Sequence, residues 1–288
     1  MKKIKLIVII LISVILLWVV LSLMSHRLFK PANCEHTLKI MTYNTHGMMI
    51  GETLSAQKDM LRYINSQDAD IVCLQEVLVY KDPQLLTLDT LRNAMSNYPY
   101  TYYDFIFYND KRQFGNVVFS RYPLINKSTI NYESTSNISS QCDIVVGQDT
   151  IRLITNHLES YKFNHRDMQL FEEIGYSPIV QKVQDSDELR HKQAKEVKQT
   201  IRKSPYPIVV VGDFNAIPLS YVYWKIKWGL RDCFLSSSFG KLGNTFRKGI
   251  LGVRIDYILC SRDLTPINCT VDEVNYSDHS PVIATIGW

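Results

Sequence analysis

VVVGDFNAIP, residues 209–218, sets the reading of the whole chain. Three valines in a row, with Ile208 before them, describe a buried β-strand. The run then passes through Gly212 into Asp213, Phe214 and Asn215, and Pro218 stops it. A buried strand therefore delivers a carboxylate and a carboxamide, two residues apart and on one face, at its C-terminal tip.

The same pattern recurs along the chain. Strands are expected at LKIMTYN (38–44), DADIVCLQE (68–76), YTYYDFIFY (100–108), GNVVFS (115–120), CDIVVG (142–147) and TIRLITNH (150–157). Three more, RIDYILC (254–260), INCTVDEV (267–274) and PVIATI (281–286), follow the opening stretch. Apolar residues at 54, 60, 61 and 64 suit an amphipathic helix over 54–67, and further helices are expected over 84–97, within the polar 160–203 excursion, and over 220–228. Mixed elements with many consecutive strands imply sheets packed together and flanked by helices, as one domain from 38 to 288.

Several of these strands carry polar tips: Asn44, Glu76, His157, and Asp213 with Asn215. Asp256 lies early in its strand, and Asp278 and His279 come just before the last one. Strand ends that converge at a sheet edge build ligand sites in α/β proteins. The residue types suit one task. Asn44 and Glu76 offer hard oxygen ligands to Mg²⁺ or Mn²⁺. Asp213 can orient and deprotonate a water, and Asn215 can donate to a phosphoryl oxygen. His157 and His279 can donate to other phosphoryl oxygens or the leaving group, with Asp256 fixing the His279 tautomer. Together they are the parts for metal-assisted attack of water on a phosphoester.

YNTHG, LQEV, NHLES, GDFNAIP, RIDYIL and SDHSPV, in that order over residues 40–283, resemble the motif set of the endonuclease/exonuclease/phosphatase superfamily. That group includes pancreatic-type deoxyribonuclease, abasic-site endonucleases, inositol polyphosphate 5-phosphatases and neutral sphingomyelinases. The resemblance implies an α/β (α+β) fold, a four-layer α/β/β/α sandwich with the site at one rim, and a divalent-metal phosphohydrolase. It assigns Asn44 and Glu76 to the metal, His157 to phosphate, and Asp213 and Asn215 to water and transition state. Asp256, Asp278 and His279 complete the set, with Asp278 expected on the metal side. One departure stands out: several DNA-repair members carry an aspartate where this chain has His46. A catalytically inactive binding module that keeps the fold is the competing expectation, and the filled catalytic positions argue against it.

Other polar residues are weighed the same way. Asn116, in FGNVVFSRYP, matches a polar position of the family and is expected to touch substrate. So are Arg247 and Arg254, in a basic loop that also holds Lys241 and Lys248. Asp82, Asp110 and Glu133 are expected on the solvated surface, and His165 and His191 exposed on the helical excursion. His46 is expected at the rim or in the site. The aromatics of 100–108 alternate as a packed strand does.

The net charge of +4 neither demands nor excludes a polyanionic partner. Residues 4–24 hold a single charge, Lys5, over about the ~20 residues needed to span a bilayer. Lys2, Lys3 and Lys5 keep the first residues cytoplasmic. The expectation is therefore a stub and uncleaved signal anchor over 1–24, a linker over 25–37, and a single-pass protein of the cell membrane whose monomeric catalytic domain faces outward. The expected substrate is a phosphoester of nucleic acid or of a phospholipid head group. Six cysteines without a C-x-x-C spacing give no metal knuckle, and Cys73 and Cys260 sit in apolar runs.

Overall fold

A computed structural model describes residues 34–48, 53–132, 137–161, 177–238, 242–248 and 251–288, together with Ser13. The anchor expected over 4–24 lies outside the described residues apart from Ser13, as do Glu133, His165 and Lys241. Among the described residues no helix is long and apolar enough to cross a membrane.

In chain order the first half comprises β1 (Thr37–Asn44), α1 (Leu54–Ser66), β2 (Ile71–Tyr80), α2 (Leu88–Ala94), β3 (Tyr100–Asn109), β4 (Arg112–Ser120), β5 (Leu124–Ile130), β6 (Ser139–Val146) and β7 (Asp149–His157). The second half comprises α3 (Ser177–Lys203), β8 (Ile208–Asp213), α4 (Tyr221–Lys227), β9 (Arg231–Asp232), α5 (Cys233–Ser237), β10 (Phe246–Lys248), β11 (Leu251–Val253), β12 (Asp256–Cys260), β13 (Thr265–Val271) and β14 (Val282–Gly287).

Two six-stranded mixed sheets pack face to face, ordered β13-β14-β1-β2-β4-β3 and β5-β6-β7-β8-β12-β9, and β10 and β11 form a separate hairpin. Alternation along the strands explains the layers. On β8, Val209 and Val211 enter the apolar cluster between the sheets, while Val210 enters the cluster under α3 and α4. On β1, Leu38 and Ile40 face the other sheet, while Met41 and Tyr43 pack against Met60, Leu61 and Ile64 of α1. Three apolar layers thus separate helix, sheet, sheet and helix. Strands buried on both faces read as continuous apolar runs, which is why VVVG stands out.

Local signals set the helix starts. Thr53 accepts from the Ala56 amide ahead of α1, and Thr87 accepts from Thr90 ahead of α2. That second cap places the start of α2 at Leu88, inside the expected 84–97. The edge strand β5 has a polar, exposed middle, so LINKSTI carries no apolar period. Of the 100–108 aromatics, Tyr102 packs between the sheets and Tyr103 and Phe105 on the opposite face, as expected, while Tyr100 is exposed.

Candidate active site

Each sheet contains one parallel pair, β1–β2 in the first and β7–β8 in the second. Only parallel neighbours bring two C-terminal tips to one edge. Asn44 lies opposite Gln75, and His157 opposite Asp213. Antiparallel β12 starts at this edge, with Asp256 opposite Asp213, and β14 starts there too, with Val282 opposite Thr42. Three C-terminal tips (β1, β7 and β8), the middle of β2 and two strand starts therefore share one rim.

Backbone irregularities aim the side chains. Gly212 has φ 114°, and a Cβ there would lie 2.1 Å from the Asn156 carbonyl oxygen of β7. Only glycine lets β8 turn and approach so closely. Asn215, Glu76 and His46 all adopt positive φ (47°, 53° and 46°), which costs free energy in non-glycine residues and clusters at functional sites. The sequence places Glu76 at a strand end, yet β2 continues to Tyr80 through apolar Val77, Leu78 and Val79. The pairing with β4 slips between Leu74 and Val77, so Glu76 sits on a bulge that turns its carboxylate out of the ladder.

The amide of Asn44 bridges the two sheets. Its Nδ2 donates to Glu76 Oε1 at 2.9 Å and to Asp213 Oδ2 at 3.0 Å, while its Oδ1 accepts from the His46 amide. Asp213 divides its oxygens between two duties. Oδ1 accepts from the Asn215 backbone at 2.7 Å and closes the turn. Oδ2 faces the rim, where Asn215 Nδ2 (3.2 Å) and His279 Nε2 (3.8 Å) also approach it. His279 Nδ1 meets Asp256 Oδ2 at 2.9 Å, and His157 Nε2 lies 3.2 Å from Glu76 Oε1. Ser277 Oγ donates to the Asn44 carbonyl and accepts from the His279 amide, locking the Asp278–His279 turn against β1.

These contacts separate the titrations. Burial and the neighbouring Asp256 raise Asp213 to about 6, against the pull of His279 and His157. Burial pushes Glu76 upward, but bonds from His157 and Asn44 and the charge of His279 outweigh it and hold Glu76 at about 2. Burial pulls His279 down, yet Asp256, Asp213 and Asp278 raise it to about 10. His157 is likewise raised by Glu76 despite its burial. A carboxylate near 6 beside a permanently charged carboxylate and a stable imidazolium is an acid–base division of labour.

The rim opens into a cleft of about 980 Å³ whose floor includes Glu76, Asp213, Asn215, Asp278 and His279. His46 reaches the same floor, 3.5 Å from Asp278 Oδ1 and 4.0 Å from Glu76 Oε2. Among the described residues two groups of donors could hold a metal: Glu76, His157 and Asp213, and Asp213, Asp256 and His279, with ligand atoms within 4.8 Å in each. Asp278 belongs to neither group, and Asn44 faces the carboxylates with its amide nitrogen.

Three expected substrate contacts are distributed differently. Arg247 lines the cleft and pairs with Glu273 at 2.5 Å. Arg254 is buried: Nη1 donates to both oxygens of Asp232, and its guanidinium stacks over Tyr257 at 4.8 Å. It joins β12 to the start of α5 instead of facing substrate. Asn116 is also buried, with Nδ2 donating to the Ile138 carbonyl, so it supports β6 from behind. His191, expected exposed, lines the cleft and packs on Tyr221 with ring centroids 4.6 Å apart. Asp82 and Asp110 are exposed as expected.

Sequence reasoning missed Thr245 and Arg190. Thr245 Oγ1 accepts from the amides of both Ile255 and Asp256, and its carbonyl accepts from Ser280, so it pins β12 to the His279 turn. Arg190 donates to the Glu159 carbonyl and stacks on Tyr161 at 4.1 Å, shaping the cleft wall after His157. Neither lies in a motif. Only a helical wheel on α3, which puts Arg190 beside buried Ala194 and Val197, hints at the second.

No curated protein matches the chain. Solved structures do. An endonuclease/exonuclease/phosphatase from Beutenbergia cavernae aligns with a TM-score of 0.66 at 17% identity, covering 88% of this chain and 72% of that one. Truncated Caenorhabditis elegans TDP2 aligns at 0.63 and 17% identity, covering 89% and 100%. D. rerio TDP2, complexed with single strand DNA product, aligns at 0.63 and 17% identity, covering 88% and 100%. At that identity the likeness speaks for the fold. The family model for endonuclease/exonuclease/phosphatase proteins matches residues 41–279, from β1 to His279, and the chain therefore belongs to that family of divalent-metal-dependent phosphoester hydrolases.

Proposed function

We propose that the chain is a membrane-tethered phosphodiesterase in which Asp213 takes the proton from the attacking water. The observation that carries this reading is the environment of Asp213 Oδ2. It is a buried carboxylate raised to about 6, bracketed by the amides of Asn44 and Asn215 and facing the rim. A base of that strength is largely ionised at neutral pH yet still able to hold a proton.

The donor set fits a hard divalent cation such as Mg²⁺ or Mn²⁺. Glu76 stays ionised, and its Oε1 lies within 4.8 Å of donors on His157 and Asp213. Such a cation, when bound, withdraws charge from a phosphoryl oxygen and supplies ordered water. Glu76 would be its principal ligand, oriented by the Asn44 amide nitrogen, with Asp278 as a further donor. Asn215 Nδ2 and His157 donate to phosphoryl oxygens. His279, kept protonated by Asp256, donates to the remaining oxygen or the leaving group.

Nucleic acid and phospholipid head groups are both phosphodiesters that suit this chemistry, and the D. rerio TDP2 structure holds a DNA product. A monomeric state is part of this reading. The apolar run over 4–24 supports single-pass attachment to the cell membrane with the domain outside. The test is turnover of bis-p-nitrophenyl phosphate with Mg²⁺ or Mn²⁺, abolished by EDTA. No metal-dependent turnover on nucleic-acid, phospholipid and inositol phosphate substrates would instead favour a binding module. Retention of the full chain in the membrane pellet under high salt and alkaline carbonate tests the tether.

A further inference from the structure

We infer that residues 217–228, on one lip of the cleft, form a surface that docks on a phospholipid bilayer, so that the substrate is a phosphoester presented at the lipid–water interface. The inference rests on the hydrolase reading above and narrows its substrate.

Eleven large apolar side chains are exposed among the described residues, and five fall in this one stretch: Ile217, Leu219, Tyr221, Trp224 and Trp228. Leu219 and Trp228 are the most open of all, 79% and 74% exposed. Scattered apolar residues need no explanation, but a contiguous apolar patch on a soluble surface marks a contact. Ile217, Leu219 and Tyr221 line the cleft itself. Tyr221 and Trp224, three residues apart on one face of α4, continue the patch, and Trp228, the C-cap of α4, extends it. The opposite face, Val222, Tyr223 and Ile226, is buried in the core, so the exposed aromatics have no room to turn inward.

The support beneath the patch is firm. Ser220 caps α4 by accepting from the Tyr223 amide, and Lys198 Nζ donates to the Trp228 carbonyl. Lys225 and Lys227 flank the patch, the second lying 4.8 Å from the Trp224 ring. Indoles and a phenol beside open aliphatic side chains, with lysines at the margin, match the interfacial layer of an anionic bilayer. A nucleic-acid platform would instead need free cations along the cleft to follow the backbone. Here Tyr221 supplies a ring to the cleft, but Arg247 pairs with Glu273, Arg190 is occupied by Glu159 and Asp187, and Ile217 and Leu219 on the same lip are aliphatic.

Geometry permits docking on the membrane that holds the anchor. The cleft lies at the far end of β1 from the linker, ~23 Å from Thr37 to Asn44 at 3.3 Å per residue. His36 pairs with Trp288, so the linker counts only from 25 to 33; nine residues, fully extended, reach up to ~30 Å, and the rim can turn to the same bilayer.

The experiment uses the full chain in vesicles of phosphatidylcholine with one-third phosphatidylglycerol and some sphingomyelin. Trp18 is changed to phenylalanine throughout, to remove the indole of the apolar N-terminal run. Brominated phosphatidylcholine should quench tryptophan fluorescence in this protein, and the added pair Trp224→Phe/Trp228→Phe should abolish most of that quenching. Trp224→Ser/Trp228→Ser should reduce hydrolysis of the vesicle lipids by at least about tenfold, as lost apolar burial implies. It should leave turnover of water-soluble bis-p-nitrophenyl phosphate within about twofold, because neither residue touches the reacting groups. Absence of bromolipid quenching would overturn the inference. So would equal loss on both substrates, quenching by a single-stranded oligonucleotide in place of lipid, or burial of the patch in a concentration-dependent dimer. If no phosphoester is hydrolysed at all, the hydrolase reading fails while the quenching still decides the docking surface.

Discussion

Asp213→Asn separates the two duties of this carboxylate. Lifting a buried aspartate from its ordinary value to about 6 costs the native state roughly 3 kcal/mol at neutral pH. The sign follows from the raised value. The cost is absent below pH ~4, grows as pH rises towards 6, and is complete above it. A neutral carboxamide removes that cost. It also turns one NH₂ group towards donors, either the Asn215 backbone amide or the amides of Asn44 and Asn215, at a loss of ~1–3 kcal/mol. The two effects nearly cancel, so the thermal midpoint should stay within roughly 8 °C of the parent. Turnover should nevertheless fall by ~10²–10⁴, because an amide accepts no proton. Bis-p-nitrophenyl phosphate hydrolysis per folded molecule, measured beside the thermal midpoint, reads both quantities. An Asp213→Asn protein that keeps turnover within about threefold would refute the base assignment and leave Asp213 a turn residue. In the parent, activity should rise with pH and level off at or below about 6, since a bound cation can only lower this group further.

Glu76→Gln should raise the Mg²⁺ or Mn²⁺ concentration for half-maximal activity, with partial recovery at excess metal, and calorimetric titration of the cation should show the weakened site directly. Asp256→Asn should drop the His279 titration from about 10 towards its ordinary value, followed by NMR of the imidazole in metal-free protein. In the parent the stability contributed by His279 is full below its unfolded value and is lost as pH rises through about 10, so the variant should lose it at lower pH. Arg254→Ala leaves Asp232 buried without its partner, and denaturant unfolding should show a loss of about 3–5 kcal/mol. Activity per folded molecule should remain within about threefold, whereas a substrate-binding arginine would raise KM steeply.

The site residues were readable because their signal is topological. Apolar runs ending in Asn44, His157 and Asp213 describe strand ends, and parallel pairing then brings those ends together without further information. What stayed hidden depends on pairing across the sequence. Arg254 looked like a surface cation because its partner Asp232 stands elsewhere in the chain and nothing local marks the pair as buried. Glu76 looked like a strand end because the bulge that re-aims it appears only in the register with β4. Asn116 carries a family position, but its amide serves the Ile138 carbonyl behind the cleft. The edge strand β5 was silent because an edge exposed to water has no apolar face to betray it.

The position of β1 bears on how the chain reaches this state. It lies between β2, which follows it closely, and β14, with Thr37 opposite Gly287. Asn44 likewise meets Asp213 across 169 residues, and its carbonyl meets Ser277 across 233. Loop closures of that length must precede the contacts that reward them, so folding is slow and late. During synthesis β1 must wait with one edge unpaired until β14 emerges, and a partly made chain holds scattered ligands but no active site. Catalytic competence therefore arrives with the final strand pairing, and removal of β14 should leave β1 open to aggregation before it costs a single catalytic side chain.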